Sequence, residues 1–442
     1  MSATAQKEPS FAAPEAVPSP YTSLSHALLF QNQDEHDWWH RAGPVLGQML
    51  LNADYDVHKQ YQYLAFFAHH VVPALGPAPD NPRPNLYRGV FNLEFSQNFQ
   101  QAGCIIRLAF LPVSYLAGVP GRDSFNRLLA PEVLARFAQL DGIELDLQVY
   151  QQLVSELALT RQEEDRLASE GPLPPIFKTQ NGIALDLRKD GKMTVKLYTF
   201  LLGKSLATAT PVSTLAFNAI RRLDQGAKRF EAGLQPIQAF LDSKQGTLDE
   251  MLPAFPTAFH PRGMIQIGCD LVDISRTRFK IYLHDYIVDS NRLAELWTLD
   301  GRLKEAHCPG LDKGLEILRE LWSILQVREG YHLPFACEPS KPQFYYDQQF
   351  LIVNYEIHPG DPWPRPKAYF PLFGMSENAV VDAVVAFFEG LGWTQHAGMY
   401  REHVISCFPK CDLENTTDVQ FWLSFSYSPK TGPYTTVYYR RI

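Results

Sequence analysis

No stretch of this chain is apolar enough for long enough to cross a bilayer. The most apolar segment, 378–393, is broken by Asp382 and Glu389 and falls short of the roughly 20 residues that a spanning helix needs. Cysteine is scarce. Cys104, Cys269, Cys308, Cys337, Cys407 and Cys411 are the only six in 442 residues, and no two form a C-x-x-C pair. That excludes a disulfide framework and fits a reducing, cytoplasmic compartment. Positive charge is in deficit, with 40 Lys and Arg against 48 Asp and Glu, so no basic field draws the chain to nucleic acid or an anionic membrane. GxSxG, Walker A and GxGxxG are all missing, which removes the usual hydrolase, P-loop and dinucleotide readings. Asp-Asp-x-x-Asp is missing too. Without those paired carboxylates to carry magnesium, a diphosphate site would have to use Lys and Arg directly. The first 20 residues mix Pro, Ala, Ser and Glu without an apolar run. They read as a disordered tail rather than a signal peptide, leaving 21–442 as one domain.

What the chain does have is aromatic side chains: 20 Tyr, 28 Phe and 7 Trp, more than solvated surfaces call for. It also has a repeating order of elements. Helical periodicity over 34–51 and 57–75 is followed by strand-like runs at 89–98 and 104–113. Helices at 124–140 and 146–169 precede strands at 182–188 and 192–200, joined at Asp190-Gly191, a hairpin signal. The same order recurs three more times, ending with strands at 419–427 and 433–440. Five helix-helix-strand-strand units result. Arg107, Lys196, Lys280 and Lys367 each fall on the second strand of a unit, at separations of 89, 84 and 87. Lys196-Leu-Tyr198, Lys280-Ile-Tyr282 and Lys367-Ala-Tyr369 share one local pattern, as repeated supersecondary units would.

Side chains alternate across a strand. Phe91, Leu93 and Phe95 oppose Asn92, Glu94 and Ser96; Phe279, Ile281 and Leu283 oppose Arg278, Lys280, Tyr282 and His284. One face is apolar and packs under helices. The other carries Lys, Arg, Glu and Tyr. Ten antiparallel strands backed by about ten helices can close, which places the polar face in a lumen. A lumen with at least four cations needs a polyanion to balance them, and aromatic walls suit an apolar or cationic ligand part.

Three other motifs carry bland readings. His36-Asp-Trp-Trp-His40 imitates HExxH, but the shorter Asp37 stands where the base would be, so a helix with core tryptophans is expected. Cys407 and Cys411 with His403 lack a fourth ligand, and no metal is assigned. Glu163-Glu164-Asp165 between Arg161 and Arg166 is a solvated helix face.

Glu94 in LEFSQNFQ, Arg107 in IIRLAF, then KLY, RFKIY, KAYFPLFG and the ending WLSFSYSPKTGPYTTVYY together resemble the dimethylallyltryptophan synthase family of fungal indole prenyltransferases. YDVHKQYQYLAFF and ELWTLDGRL add to the likeness, which runs from about Tyr21 to the C-terminus. The opening PYTSLSHALLF and the segment QVREGY resemble members acting on tryptophan-containing cyclic dipeptides, of the brevianamide F prenyltransferase kind. The resemblance implies an α/β fold of the ABBA (PT-barrel) type, a ten-stranded antiparallel barrel ringed by helices. It implies transfer of a dimethylallyl group from dimethylallyl diphosphate to an indole, with no metal or other cofactor and small molecules as the only partners. By the same resemblance Arg107, Lys196, Arg278, Lys280 and Lys367 hold the diphosphate. Tyr198, Tyr282, Tyr369, Tyr434 and Tyr438 bond it or screen the allyl cation. Glu94 accepts the indole N–H.

The sequence also departs from that pattern. Ile183 stands where tryptophan-using members carry a lysine taken as the proton acceptor, and Ile265 where a cyclic-dipeptide member has a catalytic histidine. Phe200 replaces a second tyrosine of KxYxY, Lys367 a glutamine, and Asp300 a frequent glycine of WTLGG. Free tryptophan, tyrosine or another aromatic is the alternative acceptor. A non-catalytic barrel for an isoprenoid or aromatic ligand is the alternative of another class.

Overall fold

The computed structural model describes residues 18–81, 92–171, 173, 175–244, 262–331, 350–372 and 374–440. The expected tail therefore lies almost wholly outside the described residues, as do Cys337, the start of the strand expected from Gly89, and Phe373.

Ten long strands form the sheet: β1 (Leu93–Gln100), β2 (Gly103–Phe110), β3 (Asn181–Leu187), β4 (Met193–Phe200), β5 (Arg262–Asp270), β6 (Phe279–Asp285), β7 (Leu351–Ile357), β8 (Arg365–Pro371), β9 (Gln420–Ser428) and β10 (Gly432–Tyr439). Each pairs antiparallel with the next in sequence, β4 with β5 included. β10 returns to β1 through five registered pairs from Phe95↔Tyr439 to Phe99↔Thr435. The sheet has no open edge left to protect among these strands. The turn at Asp190-Gly191 follows from local chemistry: Gly191 adopts φ 86°, open to glycine, and the Asp190 carboxylate accepts from the Lys192 N–H at 3.0 Å.

Before each strand pair stand two helices. They are Gln33–Asn52 with Val57–Phe66, Leu147–Leu157 with Arg161–Ser169, Val212–Leu223 with Glu231–Lys244, Ser290–Thr298 with Leu311–Leu325, and Glu377–Gly390 with Thr394–Cys407. Their starts are written in side chains that accept from free N–H groups: Asn32, Asp56, Asp146, Asp289 and Ser376. The apolar outer face of the sheet packs against their apolar stripes. Phe95 meets Phe67 at a ring separation of 5.9 Å, and Trp297 stacks on Phe425 at 6.0 Å. Burying each such side chain stabilises the fold by about 1.5–3 kcal/mol.

Helices are more numerous than the ten expected, because one expected segment splits in two and short helices form at Pro20–Ala27, Pro175–Lys178, Leu202–Thr208 and Arg302–Glu305; three expected segments are also shorter or broken. The helix read over 57–75 leaves α geometry at Phe66 and continues as a π turn, Phe67–Val71, and a 3-10 turn, Val72–Ala74. Pro73, without an N–H and with a ring that collides with the preceding turn, forbids regular continuation. The segment 146–169 breaks at Ala158. Thr160 and Glu163 then exchange hydrogen bonds as a capping box and open a new helix. The segment 124–140 is helical only over Leu129–Phe137. Asn126 holds φ 46° upstream and donates to the Pro112 carbonyl at 2.8 Å, which takes it out of helical register.

Candidate active site

The register fixes which residues share each level of the barrel interior. At one end lie five cross-strand pairs, Arg107↔Asp186, Lys196↔Asp270, Lys280↔Glu356, Lys367↔Ser426 and Asn98↔Thr436, each offset by two residues from the next. Arg107, Lys196, Lys280 and Lys367 are at most 7% exposed, so these four turn inward rather than spreading over the surface. Arg278, just before β6, joins them through Glu356 (3.0 Å) and Asp270 (3.2 Å).

The next level is aromatic. Tyr198, Tyr282, Tyr369 and Tyr438 follow one another with ring separations of 6.1, 6.2 and 5.8 Å. Asn354 donates to the Tyr369 hydroxyl at 2.8 Å. Phe421 and Trp422 complete this cluster, with Phe350 and Ile352 against it. Tyr434 sits apart, at the basic level, where the Lys367 ammonium lies 4.4 Å from its ring centre. Burial raises the Tyr198, Tyr282, Tyr369 and Tyr438 hydroxyls, so they stay protonated as donors at neutral pH.

Glu94 faces the lumen two residues before Ser96, the residue opposite both Arg107 and Tyr438. No hydrogen bond to its carboxyl is seen among the described residues. Burial pushes it up to about 8, with Arg440 and Arg107 pulling in the other direction. Arg440 itself lies over the Phe421 ring at 4.5 Å. The wall beside Glu94 is low: Ala109 is its partner on β2, Ala184 follows on β3, and Gly268 stands opposite Tyr198 on β5.

Sequence reasoning missed three lumenal carboxylates. Asp186 holds Nε of Arg107 at 2.5 Å and also pairs with Lys196. Asp270 lies between Lys196 and Arg278, and Glu356 between Arg278 and Lys280. Their burial would raise them, but the neighbouring cations hold Asp186, Asp270 and Glu356 below the usual carboxylate range. The expectation that only an outside polyanion balances the cations is thus corrected: three of the five charges are balanced internally. Alternation on β3 and β7 was the available signal, since Asp186 and Glu356 have the parity of lumenal positions.

The ring leaves two lysines in tension. Burial, then Arg278, pulls Lys280 down to about 7. Burial, then Lys280, holds Lys367 well below the lysine range. An anion entering here would restore both charges.

Some positions change meaning. Ile183 points outward into the helix-packed core, so its lumenal neighbours are Gly182 and Ala184, and no base stands at that level of the strand. The Ile265 side chain lies outside the described residues. Asp300 adopts φ 56°, the left-handed region that favours glycine, and its carboxylate takes Lys244 at 3.1 Å. Phe200 packs with Leu111 and Val113 at one end of the lumen. The His36 and His40 rings pack at a tilt, 4.3 Å apart, and among the described residues no three His, Cys, Asp or Glu gather as a metal site. Glu164 is buried and pairs with Arg127 at 2.8 Å, so the acidic run is not wholly a solvated face. No helix of the described residues is long and apolar enough to cross a membrane.

A closed antiparallel barrel, ringed by helices and carrying inward cations beneath a tyrosine level, defines a barrel prenyltransferase. The particular family follows from comparison. The model of the family "Tryptophan dimethylallyltransferase" matches residues 34–403, and the chain belongs to that family. It is 45% identical to the verruculogen prenyltransferase of Neosartorya fischeri, covering 96% of each chain. It is 44% identical to prenyltransferase ucdE of Aspergillus ustus, covering 95% of each. Among solved structures, NotF in complex with brevianamide F and DMSPP superposes with a TM-score of 0.81 at 33% identity, covering 96% of this chain and 98% of that one. AnaPT from Neosartorya fischeri gives 0.82 at 31%, with the same coverage.

Proposed function

We propose that this enzyme moves a dimethylallyl group from dimethylallyl diphosphate to the indole ring of a tryptophan-containing cyclic dipeptide, in the cytoplasm and without a metal ion, as a step of indole alkaloid biosynthesis. The observation that carries the reading is the stacking of a cationic level directly against a tyrosine level inside one barrel.

The chemistry asks for that order. The allylic C–O bond breaks with its electron pair leaving on the diphosphate, which separates an anion from a carbocation. Arg107, Lys196, Arg278, Lys280 and Lys367, with Tyr434, stabilise the charge that develops on the leaving group, in a site shielded from water. Tyr198, Tyr282, Tyr369 and Tyr438 present ring faces to the cation and exclude nucleophilic water from it. An indole carbon then bonds to the allyl carbon, and the ring proton leaves to restore aromaticity. Glu94 accepts the indole N–H and raises the electron density of the ring as it attacks.

One relative is a verruculogen prenyltransferase, and NotF binds brevianamide F in its solved complex. Two features favour a bulky acceptor over free tryptophan: the low wall of Ala109, Ala184 and Gly268, and the absence of a base at the level of Ile183. The test is incubation with dimethylallyl diphosphate, EDTA and a panel of tryptophan-containing cyclic dipeptides, free tryptophan and tyrosine, with products identified by mass and NMR. A prenylated cyclic dipeptide is expected. Turnover of the free amino acids alone sinks the acceptor, and binding of donor without any product turns the reading toward a carrier barrel.

A further inference from the structure

Each cation at the basic level faces, across a strand boundary, a residue of the next repeat. Arg107 stands opposite Asp186, Lys196 opposite Asp270, and Lys280 opposite Glu356. At the fourth boundary the pattern breaks, and Lys367 stands opposite Ser426. The carboxylates also reach sideways, so the cations form one chain. Asp186 joins Arg107 to Lys196; Asp270 joins Lys196 (3.7 Å) to Arg278 (3.2 Å); Glu356 joins Arg278 (3.0 Å) to Lys280 (3.5 Å). Lys367 stays outside that chain, with Thr436 Oγ1 at 3.4 Å and the Tyr434 ring as its neighbours. Five cations against three carboxylates leave a formal net charge of +2.

Resting on the donor-site reading above, we propose that Asp186, Asp270 and Glu356 are positioning residues of prenyl transfer. They lock four cations into a preformed arc, while Ser426 leaves the charge of Lys367 to the diphosphate. The physical reason is repulsion. Five cations packed in a lumen of low dielectric would splay apart, and the lysines among them would shed protons. A carboxylate between neighbours cancels the repulsion and fixes each N–H direction before the substrate arrives, so little reorganisation is left for the reaction itself. Lys196 shows the dependence most directly. It faces Asp186 on β3 and Asp270 on β5, against Arg107 on β2 and Arg278 beside β6. Without Asp186 it meets two guanidiniums with one carboxylate and gives up its proton at lower pH.

The consequence runs against simple charge counting, which has an anion site improve when a carboxylate is removed. Inorganic pyrophosphate titrated calorimetrically into the full chain reads the difference. Asp186→Asn and Glu356→Gln are expected to weaken binding about tenfold. In Asp186→Asn the affinity should also fall off at lower pH than in the wild type. Asp186→Glu should restore most of the affinity, and the KM for the acceptor should not move. Ser426→Asp, which supplies the missing fourth carboxylate, should weaken binding about tenfold as well, because it claims Lys367. Equal or tighter pyrophosphate binding by Asp186→Asn overturns the proposal. If that variant does not fold, unchanged affinity in Ser426→Asp overturns it instead. A wild type that binds no pyrophosphate fails earlier, at the donor site itself, and takes this inference with it.

Discussion

Glu94 and Lys280 are tuned in opposite senses, and that makes the reaction's pH dependence legible. Glu94, pushed up to about 8 by burial, is largely protonated at neutral pH and becomes a carboxylate, the form proposed to enrich the indole, as pH rises. The kcat/KM for the acceptor should therefore climb through about pH 8. In Glu94→Gln that limb should vanish, with kcat down by about 10²–10⁴ and pyrophosphate affinity retained; stopped assays across pH check both. Lys280, brought down to about 7 by burial and Arg278, is charged below that pH. The kcat/KM for the donor should therefore decline above about 7, giving the two substrates opposite slopes in the neutral range. Gly268 adds a steric case. A Cβ there would lie 3.3 Å from the Tyr198 ring, so Gly268→Val should crowd the tyrosine level and raise the KM of a bulky acceptor more than that of the donor.

At the scale of elements, the barrel is held to its helices by a few buried polar clamps as well as by area. Glu377, at the start of the helix Glu377–Gly390, is 0% exposed. Its carboxylate accepts from the N–H groups of Val419 (2.8 Å) and Gln420 (3.1 Å) and from the Gln420 side chain (2.8 Å). Tyr400 donates to the same Gln420, which ties the second helix of the repeat to β9 as well. Glu377→Ala strips three partners at once in a dry place and should cost about 3 kcal/mol, read by urea unfolding, with activity per folded molecule unchanged. Close approach sets another contact. In the helix Glu231–Lys244, a Cβ on Gly233 would fall 2.5 Å from Ile357 Cγ2 on β7. Gly233→Ala should therefore lower stability by about 1–3 kcal/mol through overpacking.

For the whole molecule, closure converts a local pattern into a function. A flat sheet with this sequence would hold its lysines and tyrosines in water, where each is worth little. Rolled into a barrel, the same residues surround one volume, and their charges act through a medium that screens them weakly. Chelation should leave prenyl transfer at its full rate, measured with and without excess EDTA, because the cations proposed to stabilise the leaving group are part of the fold. Loss of turnover that magnesium restores would contradict this.

The sequence by itself determined the repeat, the strand faces and the inward set of cations and tyrosines, because alternation along a strand and the spacing of repeats are one-dimensional properties. It did not show that Ile183 faces outward, because a shift of one residue moves a side chain from lumen to core and only pairing sets the register. Nor did it show Asp186, Asp270 and Glu356 threaded between the cations. Each of them reaches a cation some 70–80 positions away in the chain, and which carboxylate meets which cation was decided when the strands paired and the barrel closed.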